Sequence, residues 1–192
     1  MYICTDRRGA SVVVRDREGR RQRIVEAAAE LMCGGHSGKL THRMVAEKAG
    51  VPLGSTTYYF DTLDDLNTAA IEYLTAKVEH DLADLADELA HGDHSPAGLA
   101  AYFDTYLQDT DNVATETAIY TAGLQRPELR ELSRTWFNGL VDILTPYTGP
   151  QAATMLAVFA DGAILYAALH DRRLPVSWIE HLVRIISEGD HR

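Results

Sequence analysis

The chain has 192 residues, 46% hydrophobic and 24% charged, which is enough to bury the core of one large domain or two small ones. Its two cysteines, Cys4 and Cys33, form no CxxC pair, which excludes a disulfide framework and a zinc cluster and points to a reducing cytoplasm. The net charge of −10 is split: residues 1–60 hold ten Lys and Arg against six Asp and Glu, and residues 61–192 hold eight against twenty-two, so a basic head that suits a polyanion precedes an acidic body.

Residues 1–17 lack apolar periodicity and are expected to form a flexible arm. "SVVV" is too short for the apolar region of a signal peptide. From Arg20, "RRQRIVEAAAELMC" places Ile24, Ala27, Ala28 and Leu31 on one helical face, and "GGHSG" ends that helix. Thr41 is a good N-cap for "HRMVAEKA", whose apolar side is Met44, Val45 and Ala49. Gly50 stops this helix, Pro52 suits a fresh first turn, and "LGSTTYYF" is a short third helix despite poor propensity. A long helix runs from about Thr62 to His91, with Leu66, Ala70, Tyr73, Leu74, Val78, Leu82, Leu85 and Leu89 recurring at three and four. Further helices are expected at 96–108, 113–124, 127–145, 150–170 and 175–188, separated by "PYTGP", "RRLP" and similar breaks. No stretch alternates with period two over a strand's length. The fold class is all-α: a three-helix head and a six-helix body. The apolar run Met155–Leu169 is 15 residues and contains Asp161, short of the roughly 18 that a membrane span needs, so no membrane partner is expected.

Two short helices joined by a Gly-containing turn and flanked by supporting helices describe a helix-turn-helix at about 41–60. The second helix of that unit enters the DNA major groove, which explains a Thr- and Tyr-rich outer surface. Ser55, Thr56 and Thr57 offer hydroxyls to bases or phosphates. Tyr58 and Tyr59 offer phenols, and Gly54 permits close approach. Pro52, Leu53, Thr41, His42 and Arg43 complete the candidate DNA-binding face. Of the arginines Arg15, Arg17, Arg20, Arg21 and Arg23, some are expected to meet phosphates or the minor groove, Arg20 and Arg21 foremost.

The stretch "THRMVAEKAGVPLGSTTYYF…DDL" resembles the signature of the TetR family of bacterial transcriptional regulators. Thr41, Val45, Ala46, Ala49, Gly50, Val51, Gly54 and Phe60 match the family pattern, and Tyr59 takes its His position. Pro52, Thr56, Thr57 and Leu63 depart from it, standing for Ser, Leu, Tyr and Lys. The resemblance implies a DNA-binding domain over 18–77 and an effector-binding and dimerisation domain over 78–192. It also implies a homodimer through the last two helices, about 150–188, on a palindromic double-stranded DNA operator, and a repressor released by a small-molecule effector.

In the body, Ile179, Leu182, Val183 and Ile186 share a face of the last helix and are the dimer candidates. Phe103, Tyr106, Glu116, Tyr120, Trp136, Phe137 and Asp161 are the effector-pocket candidates, Tyr102 and Tyr166 having the same character. Carboxylates at 116 and 161 would favour a cationic or hydroxylated effector. An effector-independent architectural dimer, or an activator, is the competing reading. No phosphate-binding Gly-rich loop, Gly-x-Ser-x-Gly or dinucleotide fingerprint occurs, and His91 and His94 sit at a helix break without a third ligand. Hence no enzyme, cofactor or metal is expected.

Overall fold

A computed structural model describes residues 8–34 and 39–189. Among the described residues every regular element is helical: α1 (Arg8–Cys33), α2 (His42–Ala49), α3 (Leu53–Tyr59), α4 (Leu63–His91), α5 (Pro96–Gln108), α6 (Thr110–Gln125), α7 (Arg130–Thr148), α8 (Pro150–His170) and α9 (Val176–Gly189), with one 3-10 turn at Pro127–Leu129. The chain forms two compact units, one ending at Leu74 and the other beginning at Thr75, so α4 contributes to both.

In the first unit α1, α2 and α3 pack on one another. Its core holds Ile24, Ala28, Met32, Val45, Phe60 and Leu66. Each large aliphatic or aromatic side chain removed from water there contributes about 1.5–3 kcal/mol. That packing, not propensity, makes α3 a helix. The caps of α2 follow the sequence. Thr41 Oγ1 accepts a hydrogen bond from the Met44 amide at 3.2 Å. At the other end Gly50 has φ 63°, with its amide on Glu47 O at 3.2 Å and the Val51 amide on Ala46 O at 3.0 Å. This paired return of two amides is a Schellman cap, which needs a left-handed residue. A methyl at Gly50 would meet no atom within 4 Å, so Gly50→Ala carries only the backbone cost. Thermal denaturation is expected to show a loss of about 1 kcal/mol; an unchanged midpoint would refute the strained-turn account.

Three sequence boundaries are corrected. The helix expected from 113 starts at Thr110, where the Asp109 carboxylate accepts the Asn112 amide at 3.1 Å and caps it. The flexible arm read over residues 1–17 gives way to α1 from Arg8, while residues 1–7 lie outside the described residues. Residues 8–19 contain no Pro, so nothing interrupts the backbone ladder, and a helix can extend past the end of its apolar stripe. The break expected after residue 145 is also displaced, because α7 continues to Thr148 with Pro146 inside it. Pro146 falls in the last turn, where few intrahelical bonds remain to be broken. The hydroxyls of Thr145 and Thr148 bond back to Val141 O at 2.7 Å and Leu144 O at 3.1 Å.

The second unit packs α7 on α8, α5 on α9, and α6 on both α7 and α8. Ala152, Ala153, Ala157, Ala160 and Ala163 put small residues on the buried side of α8. At 21 residues α8 is long and apolar enough to cross a membrane, more than its 15-residue apolar run implied; here it is a packed helix of this unit. Gly123 of α6 lies against Ser133 of α7, whose hydroxyl donates to Ile119 O at 3.1 Å. The inward side of α9 is Ile179 and Val183, both buried. Two of the four residues expected to form a dimer surface are therefore core. The outward apolar residues of α9 are Val176, Trp178 and Ile185, and those of α8 are Met155, Val158, Leu165 and Leu169. Helix α9 has apolar residues on two sides, and its sequence period does not say which turns inward.

Candidate functional site

In the first unit, Arg20, Pro52, Gly54, Ser55, Tyr58 and Tyr59 line one open groove together with Arg17. Six of the thirteen DNA-binding candidates thus converge, and α1 supplies positive charge beside α3. Leu53, Thr57 and Tyr58 are exposed on α3, and Ser55 and Tyr59 are half-buried. The Thr57 hydroxyl donates to Gly54 O at 3.3 Å, a long bond that a base or phosphate can replace. Tyr58 meets Tyr59 edge to face, with ring centroids 5.1 Å apart.

Thr56 is corrected. It is fully buried, and its hydroxyl donates to Leu53 O at 2.8 Å. It occupies a core position of α3, one helical step from the exposed residues, so it packs the head and is not available to DNA. Thr41 is spent as the α2 cap, with its side chain still exposed; Arg43 is exposed, and His42 is half-buried. None of the three lines the groove. Arg21 turns its guanidinium over the Phe60 ring, 5.1 Å from the centroid, which braces the end of α3. The side chain of Arg15 lies outside those described. The sequence signal for Arg17 was the arginine run alone, which does not distinguish it from its neighbours.

The second unit holds a small cavity of about 80 Å³. Its wall is aliphatic and aromatic: Leu85 and Leu89 from α4, Leu99, Tyr102, Phe103 and Tyr106 from α5, Trp136, Leu140 and Leu144 from α7, Leu156, Phe159, Ala160 and Ile164 from α8, and Ile179 and Val183 from α9. Helix α6 adds one residue, Glu116. Four of the seven pocket candidates, Phe103, Tyr106, Glu116 and Trp136, are on this wall. Tyr120 and Asp161 are not; they are half-buried neighbours close enough to act on each other and on Glu116. Phe137 is corrected: it follows Trp136 by one residue, about 100° around α7, and is not among the residues that line the cavity. The aliphatic wall residues went unread because a cavity lining and a solid core share one sequence pattern.

The electrostatics of the cavity are unusual for a core. Glu116 is 5% exposed, and its Oε2 has no hydrogen-bond partner. Burial pushes its carboxyl up to about 8; the Tyr106 hydroxyl works the other way, and Asp161 and Asp81 add repulsion. Burial also raises the Asp161 carboxyl, against the stabilising contact of Tyr120. The Tyr106, Tyr120 and Tyr102 hydroxyls are raised in turn, chiefly by burial and then by the carboxylates beside them. Tyr120 OH, Trp136 Nε1 and Asp161 Oδ1 are likewise buried without a partner. Unpaired buried polar groups cost about 1–3 kcal/mol each, so an apolar chamber lined by two of them, Glu116 Oε2 and Trp136 Nε1, is stabilised by anything that pairs them. Among the described residues no group of three or more His, Cys, Asp and Glu is placed to hold a metal. His91 and His94 use ring nitrogens on the carbonyls of Asp87 and Leu89, and His94 stacks on Tyr147.

No protein-family model and no curated protein matches the chain. Solved structures do. The multidrug binding protein EbrR complexed with proflavin is 34% identical, with a TM-score of 0.66 over 87% of this chain and 99% of that one. A TetR-family member, SCO1917 from Streptomyces coelicolor A3, is 34% identical, with a TM-score of 0.64 over 87% and 97%. The transcriptional regulator SCO7518 from Streptomyces coelicolor A3(2) is 25% identical, with a TM-score of 0.67 over 88% and 98%. A helix-turn-helix head with cationic side chains beside α3, on a chain of this fold, defines a DNA-binding transcriptional regulator. The chain belongs to the TetR family.

Proposed function

We propose that this regulator is a cytoplasmic, homodimeric repressor that leaves a palindromic operator when a lipophilic aromatic cation occupies its cavity. The observation that carries the reading is Glu116: a buried carboxyl with an unpartnered oxygen on an otherwise apolar, aromatic wall. A cation with a flat apolar body is the ligand that such a wall accommodates. Its charge pairs with the carboxylate, and its rings stack on Phe103, Phe159 and Trp136. The cavity itself is small, about 80 Å³, below the roughly 300–1,000 Å³ usual for small-molecule sites, so such a cation enters by pushing the wall helices apart. EbrR is described as a multidrug binding protein in complexes with proflavin, ethidium and malachite green, all aromatic cations.

Dimerisation is supported by the outward apolar residues of α8 and α9, which a lone chain would leave in water. A two-fold dimer presents two copies of α3 to half-sites related by the same symmetry. Helix α4 carries Leu66 of the head core and Leu85 and Leu89 of the cavity wall, so a ligand pressing on the latter acts on a helix that serves both units. A coupling of about 1–3 kcal/mol is ordinary and gives roughly 5–150-fold release.

The test is fluorescence anisotropy with duplexes tiling the DNA upstream of the protein's own gene, followed by ethidium titration into the bound complex. One preferred two-fold-symmetric site, released by ethidium, is expected. Tight site-specific binding that saturating ethidium and proflavin leave unchanged would overturn the effector reading and favour an effector-independent regulator.

A further inference from the structure

Tyr58 is 62% exposed on α3, yet three contacts restrain it. Arg17 Nη2 donates to its hydroxyl. The Arg17 guanidinium carbon stands 5.3 Å from its ring centroid. Tyr59 packs edge-on against the same ring. Holding a long exposed arginine and an exposed phenol in one geometry costs side-chain entropy, and solvent-exposed cation–π contacts return little of it. The arrangement therefore points to use at the surface more than to stability.

The direction of the hydrogen bond decides what that use is. A guanidinium has donors only, so the Tyr58 oxygen accepts and its own O–H proton stays free. A hydroxyl that accepts a charge-assisted bond becomes a stronger donor. Arg17 also keeps further N–H groups beyond the one on Tyr58, and both side chains line the groove shared with Gly54 and Ser55. A phosphate oxygen is the partner that wants several converging donors and a positive charge.

We propose that Arg17 is a positioning residue for Tyr58, and that the two form one preassembled clamp for a DNA backbone phosphate, with the Tyr58 O–H and the remaining Arg17 N–H groups donating to it. The inference rests on α3 being the recognition helix. It goes further by making Arg17 and Tyr58 a single unit instead of two independent contacts.

The test uses the full-length protein and a mixed-sequence duplex at low salt, since a phosphate contact does not depend on base sequence. Arg17→Ala, Arg17→Lys, Tyr58→Phe and the Arg17→Ala/Tyr58→Phe double variant are compared, with far-UV circular dichroism confirming the helices. Each of Arg17→Ala and Tyr58→Phe is expected to weaken binding about tenfold, and the double variant no more than the worse single one, because the residues act together. Arg17→Lys is expected to keep the salt dependence but not the affinity, whereas Arg17→Ala lowers the log–log salt slope by about 0.9 for each phosphate left without its cation. The Tyr58 ring resonances of the free protein should shift in Arg17→Ala with no DNA present. Losses that multiply in the double variant, full rescue by lysine, or an unmoved Tyr58 resonance would each overturn the clamp while leaving α3 as the recognition helix. Failure of the wild-type protein to bind the duplex at all would overturn both.

Discussion

Replacing Glu116 by Gln is expected to weaken ethidium binding about 30-fold, roughly 2 kcal/mol, the size of a contact to a charged group, while operator affinity stays as in the wild type. The amide keeps the shape and removes only the charge. Isothermal calorimetry across pH gives a sharper signature. Burial holds the Glu116 carboxyl up at about 8, so an empty cavity at neutral pH keeps it largely protonated. Ethidium carries a fixed charge and favours the carboxylate, so its binding drives off that proton. Affinity should then rise by up to about tenfold per unit from pH 6 to 8 and level off above, and the variant should lack most of this slope. The same group ionises near 4.5 outside the fold. Between those two values the folded chain holds a proton that the unfolded chain has released, so stability falls as pH rises from about 5 to 8. The melting temperature of Glu116→Gln should fall less over that range, the remainder reflecting Asp161, whose carboxyl is also raised by burial. Equal ethidium affinity in the two proteins would end the assignment of Glu116 as the ligand's counter-charge.

Ile185→Glu is expected to produce a folded monomer with at least about 100-fold weaker operator binding. Ile185 is 57% exposed in the single chain, so a carboxylate there disturbs no packing within it. Ile185 lines one surface groove with Met155 and Trp178, so in a dimer closed over that groove the new carboxylate would be buried against apolar side chains. Without the second half-site, binding forfeits an effective-concentration gain of about 10²–10⁴. Sedimentation velocity and anisotropy report the two effects on one sample. Ile179→Glu is the contrasting variant: Ile179 is completely buried, so that change should unfold the second unit instead of splitting a dimer. A variant Ile185→Glu that sediments like the wild type would move the dimer interface elsewhere or remove it.

How much of this was legible in the sequence depended on whether one residue type had one physical use. Thr41 and Gly50 were readable because an N-cap oxygen and a left-handed turn each have few substitutes, and both ends of α2 fall where they were read. The apolar period of α4 and the bounds of α5 were readable for the same reason. Where two environments accept the same side chain, the sequence was silent. Leu140 or Ile164 looks identical beside a void and inside a solid core. Trp136 and Phe137 are both aromatic, and only the phase of α7 decides which meets the cavity. Ile179 and Ile185 are the same residue, one wholly buried and one exposed. The N-terminal part of α1 was missed because a helix can continue where no apolar stripe announces it. Glu116 and Asp161 were conspicuous as charges in apolar helices, but only the fold puts the first on the cavity wall and the second behind it.

The burial of Thr56 between exposed neighbours has a consequence for how such a regulator could be rewired. Along α3, Thr56 and the following Phe60 hold the helix in the head, while Gly54 and Thr57 face outward and take no part in its core. Structural duty and reading duty fall on different, interleaved letters. The outward letters can therefore be exchanged without a folding penalty, so the head is free to drift toward a new target sequence in single steps, each intermediate remaining a stable protein.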